Sequence, residues 1–249
     1  MSTELVRMEN MSKTYGRVQA IRNITLSVGV GEIVGLVGDN GAGKSTLIKI
    51  LVGAIQANPG GRIFFKGREV KIAKPIDAIN LGIESIYQES SLVNQLSIPR
   101  NLFLGREPVK HFGPFAYMDT AKMNAEAHAL LKQIGIKRID LKTPISNLSG
   151  GERQSIAIAR AMYFEKDLII LDEPTNQLGI EEIQSVLEFV VKAKDKGYST
   201  IFITHNIHHI YRVADRIVVL RTGEKVGDMK KSDTTIEQIE EIIIGKKLI

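Results

Sequence analysis

The sequence predicts an α/β fold with a mainly parallel central sheet, and three observations carry that prediction. Short, wholly apolar runs recur along the chain as "EIVGLVG", "KDLIILDE", "STIFITH" and "RIVVLRTGE". Strands of that texture suit a parallel sheet covered on both faces. The first run ends in glycine and leads through a short loop into "KSTLIKILVGAI", which has helical spacing. Between about residues 88 and 165 the texture changes. β-branched runs thin out there, and "DTAKMNAEAHALLKQIGI" and "GERQSIAIARAMYF" read as amphipathic helices.

Taken in order, "ELVRMENM" and "NITLSVGV" alternate like strands, and "GRIFFKGREV" reads as a further strand with a turn after it. These predict an N-terminal antiparallel β subdomain. The last periodic stretch, "TTIEQIEEIIIG", reads as a surface helix. No internal repeat or low-complexity segment interrupts the pattern. One domain is expected over residues 1–249, with a core at about 1–87 and 166–249 and a helical subdomain inserted at about 88–165.

Composition removes several function classes. The sequence contains no cysteine, which excludes disulfides, thiolate zinc sites and cysteine nucleophiles. No apolar run approaches the roughly 18 residues needed to span a bilayer. The opening "MSTELVRMENMSKTYG" lacks the continuous apolar core of a signal peptide, so a cytoplasmic location is expected. The formal net charge of +5 comes without a dense Lys/Arg block. A solvated, slightly basic surface accounts for it, and no nucleic-acid partner is expected.

The loop after the first apolar run is "GDNGAGKST", residues 38 to 46, which matches G-x-x-x-x-G-K-[ST] from Gly38 to Ser45. Gly41 and Gly43 let the backbone curl so that the amides of Asn40, Ala42 and their neighbours face phosphates at a helix N-terminus. Lys44 reaches the β- and γ-phosphates, and Ser45, followed by Thr46, offers a hydroxyl to Mg²⁺. A bare glycine-rich turn would not need this order between strand and helix. The fold class is therefore an α/β P-loop NTPase core, and ATP with Mg²⁺ is the expected ligand. In "DLIILDEPT" the apolar strand runs into Asp172, which can bring a carboxylate to the metal. Glu173 is expected to point differently from its neighbour because side chains alternate along a strand, leaving it free to polarise a water.

Several further motifs resemble one family, the ATP-binding subunits of ABC transporters, along nearly the whole chain. "LSGGERQ", residues 148 to 154, resembles the family's signature motif, at the family's spacing before "LDEPT". "IYQE" resembles the Q-loop with Gln88 at its glutamine. "FITHN" resembles the H-loop with His205 at the switch histidine, and "KTYG" places Tyr15 where the family has an aromatic on adenine. The resemblance implies catalytic roles for Glu173 and His205 and metal contacts from Ser45, Gln88 and Asp172. It also implies nucleotide contacts from Tyr15, the loop Gly38–Thr46, and Ser149, Gly150 and Gly151. A lone histidine closing a strand or a tyrosine in a turn can equally be structural. His208 and His209 read as helix-surface residues without a role. The chain departs from the family at "TNQLGI", where Gly179 stands in place of an aspartate common in the loop after the glutamate. That glycine, with residues 74 to 108, resembles the monosaccharide-importer branch, which commonly fuses two such units where this sequence holds one.

The resemblance implies a head-to-tail homodimer in which Ser149 and Gly151 of one chain close over ATP held by the partner's P-loop. It also implies membrane permease subunits, a solute-binding protein reached through them, and a place on the inner face of the membrane. Other readings of a P-loop chain are an ABC ATPase working on nucleic acid or ribosomes, an ATP-binding regulatory switch, and a small kinase. The first usually carries coiled-coil insertions or tandem units, the second does not need Glu173 and His205, and the third does not explain "LSGGERQ".

Overall fold

Two strands of twelve residues each open the chain, β1 (Glu4–Tyr15) and β2 (Val18–Gly29), paired antiparallel. The structure is a computed structural model and describes residues 4–86, 92–133, 140–163, 167–176 and 178–246. Along β1, Val6 and Met8 face inward with the two-residue period of a strand, and then Met11 does so three residues on. The extra step is a bulge: Asn10 has φ +53° and the register slips between Met8 and Met11. The bulge returns Met11 to the core face.

The chain continues through β3 (Ile33–Val37), α1 (Lys44–Leu51), β4 (Arg62–Phe65), β5 (Arg68–Val70), α2 (Pro75–Leu81) and β6 (Ile83–Ile86). β4 pairs with β1 and β5 with β4, giving the antiparallel sheet β2-β1-β4-β5. Next come α3 (Ile98–Leu102), β7 (Val109–Phe112), β8 (Phe115–Met118), α4 (Thr120–Gln133) and α5 (Gly150–Tyr163). The chain then runs through β9 (Leu168–Asp172), α6 (Ile180–Asp195), β10 (Ser199–Ile203), α7 (Ile207–Val213), β11 (Arg216–Arg221), β12 (Glu224–Lys230) and α8 (Ile236–Ile244). The central sheet has the order β12-β11-β3-β10-β9-β6. Every neighbouring pair is parallel except β11 with the edge strand β12. All five residues of β3 and of β10 are buried, as two covered faces require.

Apolar side chains gather into three cores. One lies between the two sheets and α1, with Met8, Met11, Leu47 and Ile170. A second lies on the opposite face of the central sheet under α6, α7 and α8, with Phe202, Val190 and Ile210. α8 is thus not wholly a surface helix, because Ile239 and Ile242 are buried in this core. The third core is built only from residues 92 to 163, around Phe103, Met123, Leu130 and Ile156. Phe103 meets Tyr163 edge to face with centroids 4.8 Å apart. Beside it the fully buried Asn101 accepts from the Val93 amide and donates to the carbonyls of Val93, Leu96 and Ser97.

The inserted region is less purely helical than its sequence texture suggests. β7 and β8 form a hairpin around Gly113, which has φ +57°. The β-formers Val109, Phe112, Phe115 and Tyr117 flank the turn, and all four are exposed. A ribbon with little burial leaves no inward apolar period to read.

Insert and sheet meet at a buried ion pair. Glu84 of β6 is 7% exposed and accepts a 2.8 Å hydrogen bond from Nη2 of Arg106. Arg160 of α5 lies in the same field: burial pulls its guanidinium below the usual range while Glu84 opposes the shift. Glu84→Ala would leave cationic groups buried without their carboxylate. It should lower stability by about 3 kcal/mol, read as a shifted denaturant midpoint at unchanged slope.

Candidate nucleotide site

Strand β3 delivers the chain into the loop at residues 38 to 43, and α1 takes it away. Two glycines there are sterically required. A Cβ on Gly38 would stand 2.1 Å from the Leu220 carbonyl oxygen, and one on Gly43 would stand 2.6 Å from Ile21 Cγ2 and 2.8 Å from the Ala20 oxygen. Both have positive φ, as does Gly41 at +81°. The loop therefore curls tightly against β11 on one side and β2 on the other, and leads into the N-terminus of α1.

Lys44, the first residue of α1, is 7% exposed. Its Nζ donates to the carbonyls of Gly38 at 2.5 Å and Asp39 at 3.0 Å. Burial pulls its pKa down, and the fields of Glu173, Asp172 and Asp39 oppose that shift. Asp172 ends β9, and burial pushes its carboxyl upward, reinforced by Glu173 and opposed by Lys44 and Lys49. Cation and carboxylates thus partly compensate one another.

Glu173 departs from strand geometry. β9 stops at Asp172, and Glu173 has φ +52°, a left-handed conformation that a non-glycine residue enters at a cost of about 1–3 kcal/mol. Alternation along a strand is therefore not what separates the two carboxylates. The turn is held by the Glu173 amide, which donates to the Ile203 carbonyl at 2.9 Å, and by the Asn176 amide, which donates to the Glu173 carbonyl. The Glu173 side chain is mostly buried, and Oε2 lies 3.1 Å from Nδ1 of the exposed His205.

These groups share one cavity of about 650 Å³, lined by the loop Asn40–Thr46, Asp172, Glu173, Asn176 and His205, with Val18–Ala20 at its rim. The cavity brings together Lys44, Ser45, Asp172, Glu173 and His205 as the sequence predicts. Tyr15 does not line it; the residue is exposed and pairs across the hairpin with Val18, which does. Gln88 lies outside the described residues. Among the described residues no cluster of three or more His, Asp or Glu side chains could hold a metal unaided. One hydroxyl and one carboxylate beside a phosphate cradle do fit Mg²⁺ carried in with phosphates.

Ser149, Gly150 and Gly151 do not line the cavity of their own chain. They begin α5, where Ser149 Oγ accepts from the Glu152 amide and Glu152 Oε2 accepts from the Ser149 amide. This capping box keeps the turn exposed and ordered. Glu182 of α6, which no motif marks, stands against two glycines. A Cβ on Gly151 would stand 2.2 Å from Glu182 Cγ, and one on Gly179 would stand 2.4 Å from Glu182 Oε2. His209 reads from the sequence as a helix-surface residue without a role. It is half-buried, with Nδ1 3.2 Å from Thr175 Oγ1 and Nε2 3.2 Å from Asn206 Nδ2. It is thus not a bare helix-surface residue. Burial lowers its pKa from the ordinary 6.5, aided by repulsion from Arg212, His208 and His205.

A glycine-curled loop at a helix N-terminus, a desolvated lysine and paired carboxylates in one cavity define an ATP-binding P-loop protein. The sequence pattern of the family described as ABC transporter matches residues 21–176, and the chain belongs to that family. It is 41% identical to the xylose/arabinose import ATP-binding protein XylG of Sulfolobus acidocaldarius over 241 residues, 97% of this chain and 94% of that one. It is 35% identical to the galactose/methyl galactoside import ATP-binding protein MglA 1 of Photobacterium profundum, over all of this chain but only 49% of the relative's length. Its fold matches the ADP conformation of MJ1267, an ATP-binding cassette of an ABC transporter, with a TM-score of 0.80 at 23% identity, covering 97% and 95% of the two chains.

Gly43→Ala should strain the entry to α1. The expected result is a loss of about 1–3 kcal/mol in stability together with weaker nucleotide binding, measured by thermal unfolding and titration calorimetry. The lowered pKa of His209 sets a sign for pH. The unfolded chain takes up that proton more readily than the folded one. The contribution is full above the ordinary value of 6.5 and is lost as pH falls below it. Melting midpoints measured from pH 7.5 to about pH 5 should fall more steeply in the wild type than in His209→Asn.

Proposed function

We propose that the chain is the ATP-hydrolysing subunit of a sugar importer. In this reading it lies on the cytoplasmic face of the membrane against permease subunits, with a solute-binding protein delivering the sugar on the other side. The observation that carries the proposal is the split between the two phosphate-binding segments. Lys44, Asp172, Glu173 and His205 share one cavity, while the exposed turn at Ser149–Gly151 stands outside it. A turn exposed at Ser149 and Gly150 that does not serve its own P-loop is available to a second copy. The identities of the relatives named above support a sugar as the transported solute. We read residues 1–249 as one ATPase domain with its helical part at about 88–165.

In this mechanism the amides of residues 40 to 46 and the Lys44 ammonium hold the β- and γ-phosphates of ATP. Mg²⁺, held by Ser45 and Asp172 with Gln88, would neutralise charge on the phosphate oxygens. Tyr15 stacks on adenine. Glu173 accepts a proton from the attacking water, and His205, within reach of the same carboxylate, orients on the γ-phosphate. Ser149, Gly150 and Gly151 of the partner complete the cradle, so the cycle needs two chains head to tail. Pairing would displace water from the shared site and strengthen its electrostatics. Loss of the γ-phosphate would release the pair, and that motion would reach the permease through the inserted region.

Three variants test the proposal. Lys44→Ala should weaken ATP binding by about 2 kcal/mol or more in a calorimetric titration, and unchanged affinity would remove Lys44 from the site. Glu173→Gln keeps shape but not charge. Its turnover should fall roughly 10²- to 10⁴-fold while an ATP-bound dimer accumulates in size exclusion with light scattering. Ser149→Arg should be inactive alone yet regain phosphate release when mixed with Lys44→Ala, because one of the two shared sites in a mixed pair is intact. Confirmed mixed pairs that stay at background would exclude the shared site.

A further inference from the structure

The strained turn at Glu173 is closed by a ring of contacts that runs through a residue outside the cavity. From Glu173 the chain passes through Pro174 to Thr175, whose Oγ1 lies 3.2 Å from Nδ1 of His209. The other ring nitrogen, Nε2, lies 3.2 Å from Asn206 Nδ2. Asn206 is bonded covalently to His205, and His205 Nδ1 returns to Glu173 Oε2 at 3.1 Å. We infer that His209 is a positioning residue for ATP hydrolysis, holding the Glu173–Asn176 turn at a fixed distance from His205 by donating from Nδ1–H to Thr175 Oγ1. The inference rests on the reading of Glu173 and His205 given under Proposed function.

The proton can be assigned from the neighbours. Asn206 caps α7, and its Oδ1 accepts from the His209 amide at 3.4 Å. Its other amide atom, Nδ2, is therefore the donor facing the ring. A donor there requires an unprotonated Nε2, which leaves the proton of the neutral imidazole on Nδ1. Thr175 is only 6% exposed, so water competes poorly for its hydroxyl oxygen. One side chain thus joins two segments that follow different strands, β9 and β10. Without it, the turn would be held by backbone contacts, chiefly the Glu173 amide to the Ile203 carbonyl, and by the contact of Glu173 Oε2 with the exposed His205. His209 does not line the cavity, so its loss should leave the phosphate cradle intact.

The expected signature is a split between kinetic constants. His209→Ala should lower kcat for ATP hydrolysis roughly ten- to hundredfold, with KM for ATP within about twofold of the wild type. His209→Asn keeps a donor near the position of Nδ1 and should recover most of the loss, whereas His209→Gln, whose amide reaches toward the Nε2 side, should not. Thr175→Val removes the acceptor at constant shape and should match His209→Ala, and the double variant should lose no more than either alone. Melting curves of all variants confirm that folded protein is compared. A kcat for His209→Ala within twofold of the wild type, equal recovery by Asn and Gln, or additive losses would each overturn the inference. Nitrogen-15 NMR of the wild-type imidazole gives a readout free of activity. The Nδ1–H tautomer is expected, and Nε2–H would overturn the assignment. A wild-type protein that hydrolyses no ATP would instead count against the proposed function, with the tautomer still deciding whether His209 holds Thr175.

Discussion

A lysine ammonium taken out of water is the constraint around which the molecule is arranged. Burial at the first position of α1 pulls the Lys44 pKa down, the fields of Glu173, Asp172 and Asp39 oppose that shift, and the carbonyls of Gly38 and Asp39 turn inward to accept from its Nζ. Those carbonyls can face it only if the loop curls through positive φ. The curl brings the loop within van der Waals reach of the Leu220 carbonyl on β11 and the Ala20 carbonyl on β2. The antiparallel sheet and the central sheet are thereby drawn together at one point. Parallel pairing of β10 with β9 sets Ile203 against Asp172, so the carboxylates arrive on the side of the loop where the cation needs them.

The rest of the structure can be more loosely joined. The inserted region has its own apolar core from residues 92 to 163, and among the described residues the Glu84–Arg106 pair is a buried ionic link from it to the central sheet. Ala157 of α5 is buried in the second core, so apolar contact joins the two as well, but the charged pair depends on geometry rather than on area and weakens when that geometry changes. That behaviour suits a region that has to shift against the sheet.

Much of this was legible in the chain. Apolar runs located β3, β9, β10 and β11 because central parallel strands need no polar face, and the loop motif located Lys44 because phosphate chemistry restricts its neighbours so tightly. Where burial is partial, the signal fades. β12 is an edge strand with no fully buried residue, and β7 and β8 are exposed on nearly every residue, so none has a period to read. The ring through Thr175 and His209 was illegible for another reason. It joins residues 34 positions apart whose side chains carry no spacing rule, and only the parallel pairing of β9 with β10 brings them together. Glu173 was misjudged in geometry though not in placement, because the strand ends one residue before it.

The close approach of Glu182 to Gly151 and Gly179 ties together the start of α5, the loop before α6 and the first turn of α6. A side chain at 179 would collide with the Glu182 carboxylate, and one at 151 with its stem. An aspartate entering at 179 would also set a second negative charge beside the first. The Glu182 carboxylate can rotate away from a side chain at 179, whereas a side chain at 151 meets Cγ of its stem, so Glu182 constrains Gly151 more tightly than Gly179. Positions 151, 179 and 182 are thereby coupled across one surface, and a substitution at any of them changes the room left to the other two.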